Sequence, residues 1–270
     1  MKMLRLILLF AACLLAITTF AAPIYDAIEK GDVATVRQLL QGAPGDLDLS
    51  LIMAVKQKNL EIVQLLLEKG ANPSAIGDHD KTVLHYAAES GSLPIVQLLL
   101  DKGADPKIVT GYGNTILMNA AKSASLPVVQ LLLDKGADPL ASDGHGLTAL
   151  HVAADVDSLP IVQLLLEKGA DPNAVDIRGN TVMHHAGAVG SLPIVQLLRK
   201  IGANLKVFNE ADESDFEVAI RAKSLPLIQY YLDIKEEVDD IRYHYDLSLV
   251  ASSDSLPIVQ LLLDLSLIHI

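Results

Sequence analysis

One block of apolar and polar positions returns along most of the chain. The string Ser-Leu-Pro-Ile-Val-Gln-Leu-Leu-Leu starts at Ser92, Ser158 and Ser255, with near-copies at Ser125, Ser191 and Ser224 and a looser one at Asn59. Its glutamine recurs as Gln64, Gln97, Gln130, Gln163, Gln196, Gln229 and Gln260, at intervals of 33 five times and then 31. A period held that strictly marks a repeat architecture. Each block predicts a helix: the serine stands at the N-cap, and proline falls in the first turn, where its missing N–H costs least. Closing runs such as Glu68-Lys69-Gly70 and Asp101-Lys102-Gly103 put lysine at the negative end of the helix dipole and glycine in a left-handed C-cap.

A shorter helix precedes each block and opens with threonine: Thr82-Val83-Leu84-His85, Thr115-Ile116-Leu117-Met118, Thr148-Ala149-Leu150-His151 and Thr181-Val182-Met183-His184. Between repeats, turn formers such as Asp143-Gly144-His145-Gly146 and Asp176-Ile177-Arg178-Gly179 predict tight hairpins. No single repeat can bury its own apolar face, whereas a stack of them can, which is the physics of a solenoid. The expected fold class is all-α: a solenoid of about eight helix-turn-helix units with hairpin-loop connections. These fall at approximately 23–49, 50–73, 74–106, 107–139, 140–173, 174–204, 205–237 and 238–264, in one domain over 22–264. The first, around Tyr25 to Gln41, is polar on one side, as an N-terminal cap should be. The second lacks the threonine run. The seventh carries Ser214-Asp215-Phe216-Glu217 in its place, and Tyr230-Tyr231 for two leucines.

These residues resemble the ankyrin-repeat family: its T-P-L-H-x-A-A run, a helix ending in L-L-L-x-x-G-A-D, and its 33-residue period. The likeness covers residues 23 to 264 and is most specific in the repeats beginning near Ser74, Lys107, Leu140 and Ala174. Proline is missing from every T-P-L-H copy, which has Val83, Ile116, Ala149 or Val182 instead. It stands in the second helix, at Pro94, Pro127, Pro160, Pro193, Pro226 and Pro257. The resemblance implies that His85, His151 and His184 bond backbone between neighbouring repeats. It also implies protein binding through the concave side, by the hairpin tips and the ends of the first helices. Carried onto this sequence, the partner-binding candidates are Asp78, His79, Lys81, Glu89 and Ser90, then Tyr112, Asn114, Lys122 and Ser123. His145, Leu147, Asp155 and Val156 follow, then Ile177, Arg178 and Asn180.

Composition narrows the function. Of 270 residues, 51% are hydrophobic, but only 4% are aromatic and tryptophan is absent, so small aliphatic side chains must fill the core. A net charge of −12 disfavours nucleic acid, whose binders need a basic face. No metalloprotease, phosphate-loop or nucleophile-elbow motif occurs, and the serines and aspartates recur at capping and turn slots. Metal binding by His85, His151 and His184 is disfavoured, because equivalent slots lie roughly 10 Å apart in stacked helices. The adjacent pair His184-His185 diverges by about 100° on a helix and cannot chelate. The acidic run Glu236-Glu237-Val238-Asp239-Asp240 lacks the spacing and glycine of a calcium loop and reads as solvated, with Tyr243 and His244 as exposed contact residues beyond it. No enzyme activity, cofactor or metal is expected.

Both ends carry separate expectations. Lys2 and Arg5 precede an apolar run, Leu6 to Ile17, and Thr19-Phe20-Ala21 suits a signal peptidase. Residues 1–21 are expected to be a cleaved secretory signal, because the apolar run itself is too short for a comfortable membrane span of about 20 residues. The mature chain would begin at Ala22. The only cysteine, Cys13, lies inside this segment. A lipid anchor there is disfavoured, because Phe10 replaces the usual aliphatic residue and the apolar run continues past it. Without Lys2 and Arg5 the 21 basic residues fall to 19 against 33 acidic ones, a net of −14. After Asp264 the register calls for Lys-Gly-Ala-Asp, but the sequence reads Leu265-Ser266-Leu267-Ile268-His269-Ile270. That hexapeptide is what the transposon-end adapter CTGTCTCTTATACACATC encodes, so 265–270 is expected to be a non-native tail; a diverged natural terminus is the alternative. The functional expectation is an exported, bacterial protein-binding scaffold, periplasmic or secreted, whose mature chain does not enter a membrane. An accessory arm of a longer enzyme or membrane protein, and a secreted effector that binds host proteins, are the alternatives.

Overall fold

The computed structural model describes residues 23–42, 45–204, 207–234 and 255–264. Segment 1–21 with Cys13, expected to be a secretory signal, the acidic run with Tyr243 and His244, and the tail 265–270 lie outside the described residues. The described residues form an all-α array of repeated helix pairs joined by hairpins, the fold class expected. The chain divides into two compact units, Met1–Ala137 and Asp138–Ile270.

The N-terminal unit holds α1 (23–29), α2 (Val33–Leu39), α3 (Leu47–Lys56), α4 (Leu60–Glu68), α5 (Val83–Ser90), α6 (Leu93–Asp101), α7 (Ile116–Lys122) and α8 (Leu126–Asp134). First helices pack in a row, α3 on α5 on α7, and second helices in another, α2 on α4 on α6 on α8. The C-terminal unit repeats the scheme with α9 (Ala149–Asp155), α11 (Val182–Ala188) and α13 (Asp215–Arg221) in one row. The other row is α10 (Leu159–Glu167), α12 (Leu192–Lys200) and α14 (Leu225–Asp233). A last described helix, α15, runs Leu256–Asp264.

The same slots fill the core in each repeat. Leu84, Ala87 and Ala88 of α5 meet Ile95, Val96 and Leu99 of α6, all fully buried, as are Leu117, Ala120, Ala121, Val128, Val129 and Leu132 one period later. Alanines on the first helix let two backbones approach, and the branched side chains fill what remains. Each fully buried aliphatic side chain contributes roughly 1.5–3 kcal/mol relative to exposure. The helices stop where the sequence says they should: Gly70, Gly103, Gly136, Gly169 and Gly202 all have φ between 84° and 95°, in the left-handed region.

The histidine slot ties repeat to repeat. Thr82 N–H donates to His85 Nδ1 (3.1 Å), and the opposite ring nitrogen, Nε2, meets the carbonyl of Asn114 in the next repeat at 3.3 Å. His151 does the same to Ala174 (3.1 Å) and His184 to Glu213 (3.0 Å). Burial lowers the pKa of all three, and that of His151 to about 4, with the neighbouring His185 adding to the effect. Neutral rings suit the task, because one nitrogen must accept while the other donates.

Three details differ from the sequence reading. Ser92, Ser125, Ser158, Ser191 and Ser224 stand at the N-cap but make no side-chain cap bond. Proline at the second helical position has removed one of the amides that a cap would satisfy. Ser125 and Ser224 instead donate to the carbonyls of Gly91 and Gly190 in the preceding repeat, at 3.3 and 3.2 Å. Second, α3 begins at Leu47, capped by Asp46 Oδ1 on the amides of Asp48 and Leu49, so the division at 49/50 cuts through it. Third, the seventh repeat keeps its cap by other means: Glu217 takes the histidine slot and accepts from Ser214 N–H at 2.7 Å.

Candidate functional site

Hairpins join the repeats, closed by isolated antiparallel bridges at Ile76–Thr82, Val109–Thr115, Ser142–Thr148 and Val175–Thr181. A short side chain at the head of the turn folds it. Asp143 Oδ1 accepts from the amides of His145 and Leu147, and Asp176 Oδ1 from those of Arg178 and Asn180. Asn209 acts likewise on Ala211 and Glu213. In the C-terminal unit the tips lie against each other: Ile177 N–H donates to the His145 carbonyl and Glu210 N–H to that of Arg178, both at 2.8 Å. Gly146, at φ 73°, makes this possible, since a Cβ there would stand 3.0 Å from the Val175 carbonyl oxygen.

These hairpins and helix ends place the sixteen candidates on the surface in two grades. Asp78, His79, Tyr112, Lys122, His145, Asp155, Ile177 and Arg178 are exposed; Lys81, Glu89, Ser90, Asn114, Ser123, Leu147, Val156 and Asn180 are half-buried. Several half-buried ones have work inside the fold. Asn180 links Asp176 (3.0 Å) to Asn209 (2.9 Å), while Ser90 and Ser123 bond back to Ala87 and Ala120. Tyr112, 75% exposed, and Ile177, 57% exposed, are large apolar side chains presented to solvent at the tips.

The two units surround one first-helix slot differently. In the N-terminal unit the slot holds Tyr86, buried, whose hydroxyl donates to the Asp78 carbonyl. Lys56 Nζ lies 4.5 Å from its ring centroid and Lys81 Nζ 5.7 Å. Lys81 also pairs with Glu89 at 2.8 Å. That hydrogen bond, together with the charges of Lys81, Lys122 and Lys56, holds the Glu89 carboxyl below its usual range against the effect of burial. In the C-terminal unit the slot holds His185. Its Nδ1 meets Asp155 Oδ1 at 2.8 Å, its Nε2 faces Asp176 Oδ2 at 3.4 Å without a hydrogen bond, and its ring stands edge-on to His151 at 4.9 Å. Burial pushes the imidazole pKa down. The Asp155 hydrogen bond and charge, with the Asp176 charge, outweigh it, and the net pKa is raised.

Sequence reading missed Tyr86, His185, Lys56 and Asp176 as a set. The period was the available signal: Lys56, Glu89, Lys122, Asp155 and Arg221 occupy one column, and Tyr86 and His185 another. Among the described residues no group of three or more His, Cys, Asp or Glu converges as metal ligands would, and no helix is long and apolar enough to cross a membrane.

An all-α repeat protein with a uniform row of second helices and a varied row of tips and first-helix ends is the class this architecture defines. The family model described as ankyrin repeats (3 copies) matches residues 24–110 and 117–209, and the chain belongs to the ankyrin-repeat family. No curated protein matches it. Ankyrin repeats are in general protein–protein interaction modules and are typically not enzymes.

Proposed function

We propose that this chain is an exported scaffold that holds a protein partner against its hairpin tips and first-helix ends, in the periplasm or outside the cell. The contrast within the chain carries the reading. The second-helix string is kept nearly residue for residue from Ser92 to Ser255, while the column Lys56, Glu89, Lys122, Asp155, Ala188, Arg221 carries a different charge in each successive repeat. Stacking needs sameness, whereas recognition of one partner needs a particular pattern of differences. Exposed aromatic and guanidinium side chains such as Tyr112 and Arg178 are the types that carry binding energy. The basic, then apolar, segment 1–21 supports export.

The test has two parts. An alkaline phosphatase fusion to residues 1–30 is expected to be active outside the cytoplasm, with the mature chain beginning at Ala22; an inactive cytoplasmic fusion contradicts export. A partner captured from periplasm or medium is expected to bind at least tenfold more weakly to the Tyr112→Ala, His145→Ala, Arg178→Ala triple variant. Unchanged affinity contradicts the binding face.

A further inference from the structure

The N-terminal unit carries a cationic spot in a chain whose net charge is −12. The 33-residue period stands Lys56, Glu89 and Lys122 at the ends of α3, α5 and α7, three first helices packed side by side. Lys81 approaches from the hairpin and pairs with Glu89. Lys56 rests over the Tyr86 ring and is 3.8 Å from Asp78, whose side chain is 82% exposed, so this pair is screened and weak. Lys122 forms no ion pair among the described residues and acts on Glu89 only as a nearby charge. Lys56, Lys81 and Lys122 therefore all act on the half-buried Glu89 carboxylate, while Asp78 and Asp80 of the hairpin tip are exposed to solvent.

From this juxtaposition we propose that the Lys56, Lys81 and Lys122 surface binds an acidic, extended segment of a partner protein, whose carboxylates bracket Glu89. The proposal deepens the binding role argued above and rests on it. Lys56 and Lys122 stand two repeats apart, on the order of 20 Å at about 10 Å per packed helix. An extended peptide covers that span in about six residues, so the segment carries acidic side chains about six positions apart. The buried Tyr86 ring beneath Lys56 holds that ammonium by its π face, and its only ion pair among the described residues is the long one to Asp78, which an incoming carboxylate can displace. Glu89 works against the incoming charge, and Lys81 masks it.

A fluorescein-labelled peptide, (Glu-Ser-Gly)₄, titrated into the full chain at low salt, tests this. Saturable binding is expected, absent for (Gln-Ser-Gly)₄ and weakened at least tenfold by Lys56→Gln with Lys122→Gln. Glu89→Gln is expected to tighten it, because removing the acid also frees Lys81; a merely destabilised fold would not produce that opposite sign. Circular dichroism melts of each variant confirm that it is folded. Three results each overturn the proposal: no saturable binding, binding indifferent to the two lysines, or equal lysine-dependent binding of a dT12 oligonucleotide, which would make the spot a general polyanion site. The peptide titration needs no knowledge of the natural partner. Its failure leaves the triple-alanine result standing, and a failed triple-alanine test with intact peptide binding faults the wider binding face instead.

Discussion

Tyr86 and His185 sit three periods of 33 apart, in the same slot of two first helices, and the residue that reaches over each comes from the same column: Lys56 over Tyr86, Asp155 over His185. The backbone scheme is the same and the chemistry is inverted. A buried phenol ring under two ammonium groups has no charge change near neutral pH. An imidazole between two carboxylates is poised to carry one. The Tyr86 slot thus has no titration near neutral pH, whereas the charge of the His185 slot depends on pH. The stacking residues beneath do not take part in the difference, since Leu84 and Met183 are equally buried.

The largest effect separates stacking from surface. Leu132→Ala opens a cavity under fully buried Leu132 and is expected to cost roughly 2–5 kcal/mol in urea unfolding; a loss under about 1 kcal/mol would break the claim that the second-helix row carries stability. Next comes pH. Unfolded, His151 takes up its proton near 6.5; folded, it resists until about 4. Its contribution to stability is therefore present above 6.5 and lost as pH falls through the window towards 4, on the order of 3 kcal/mol in full. His185 has the opposite sign: its raised pKa adds stability below 6.5, and that part disappears as pH rises through its folded value. Histidine ring chemical shifts followed by NMR from pH 8 to 4 are expected to show His185 protonating before His151. The reverse order would undo the comparison.

A smaller shift sharpens it. Asp155→Asn removes the charge and the strongest partner of His185, so the His185 midpoint is expected to fall and that of His151, relieved of a neighbouring cation, to rise. Smallest of all, the triple alanine variant at Tyr112, His145 and Arg178 is expected to leave unfolding within about 0.5 kcal/mol per site, while weakening partner binding under the proposed function.

Much of this was legible in the sequence, because repetition writes the local physics several times over. The threonine opening, the histidine tie and the glycine stop recur at fixed offsets, and each appears in the structure at the residues that announce it. What failed to show was anything depending on a neighbour across the stack. The serine before Leu-Pro has an N-cap's identity, yet Ser125 and Ser224 spend their hydroxyls on the preceding repeat. The start of α3 was hidden because Asp46 caps it where threonine was sought. His185 looked like the idle half of a pair with His184, since its partners, Asp155 and Asp176, lie 30 and 9 residues away and only stacking and the hairpin bring them in. The candidate residues fall on the hairpins and first-helix ends, but their division into exposed tips and side chains engaged within the turns, such as Asn180, depended on that same stacking.

Hydrogen exchange on the complex with the captured partner tests the central claim most directly, that differences between repeats are for recognition and sameness is for stacking. Added protection is expected at the hairpin tips around Tyr112, His145 and Arg178 and at the first-helix ends near Lys56, Glu89 and Lys122. Protection confined to the Leu-Pro faces of the second helices, at Leu93, Leu126 and Leu225, would contradict it.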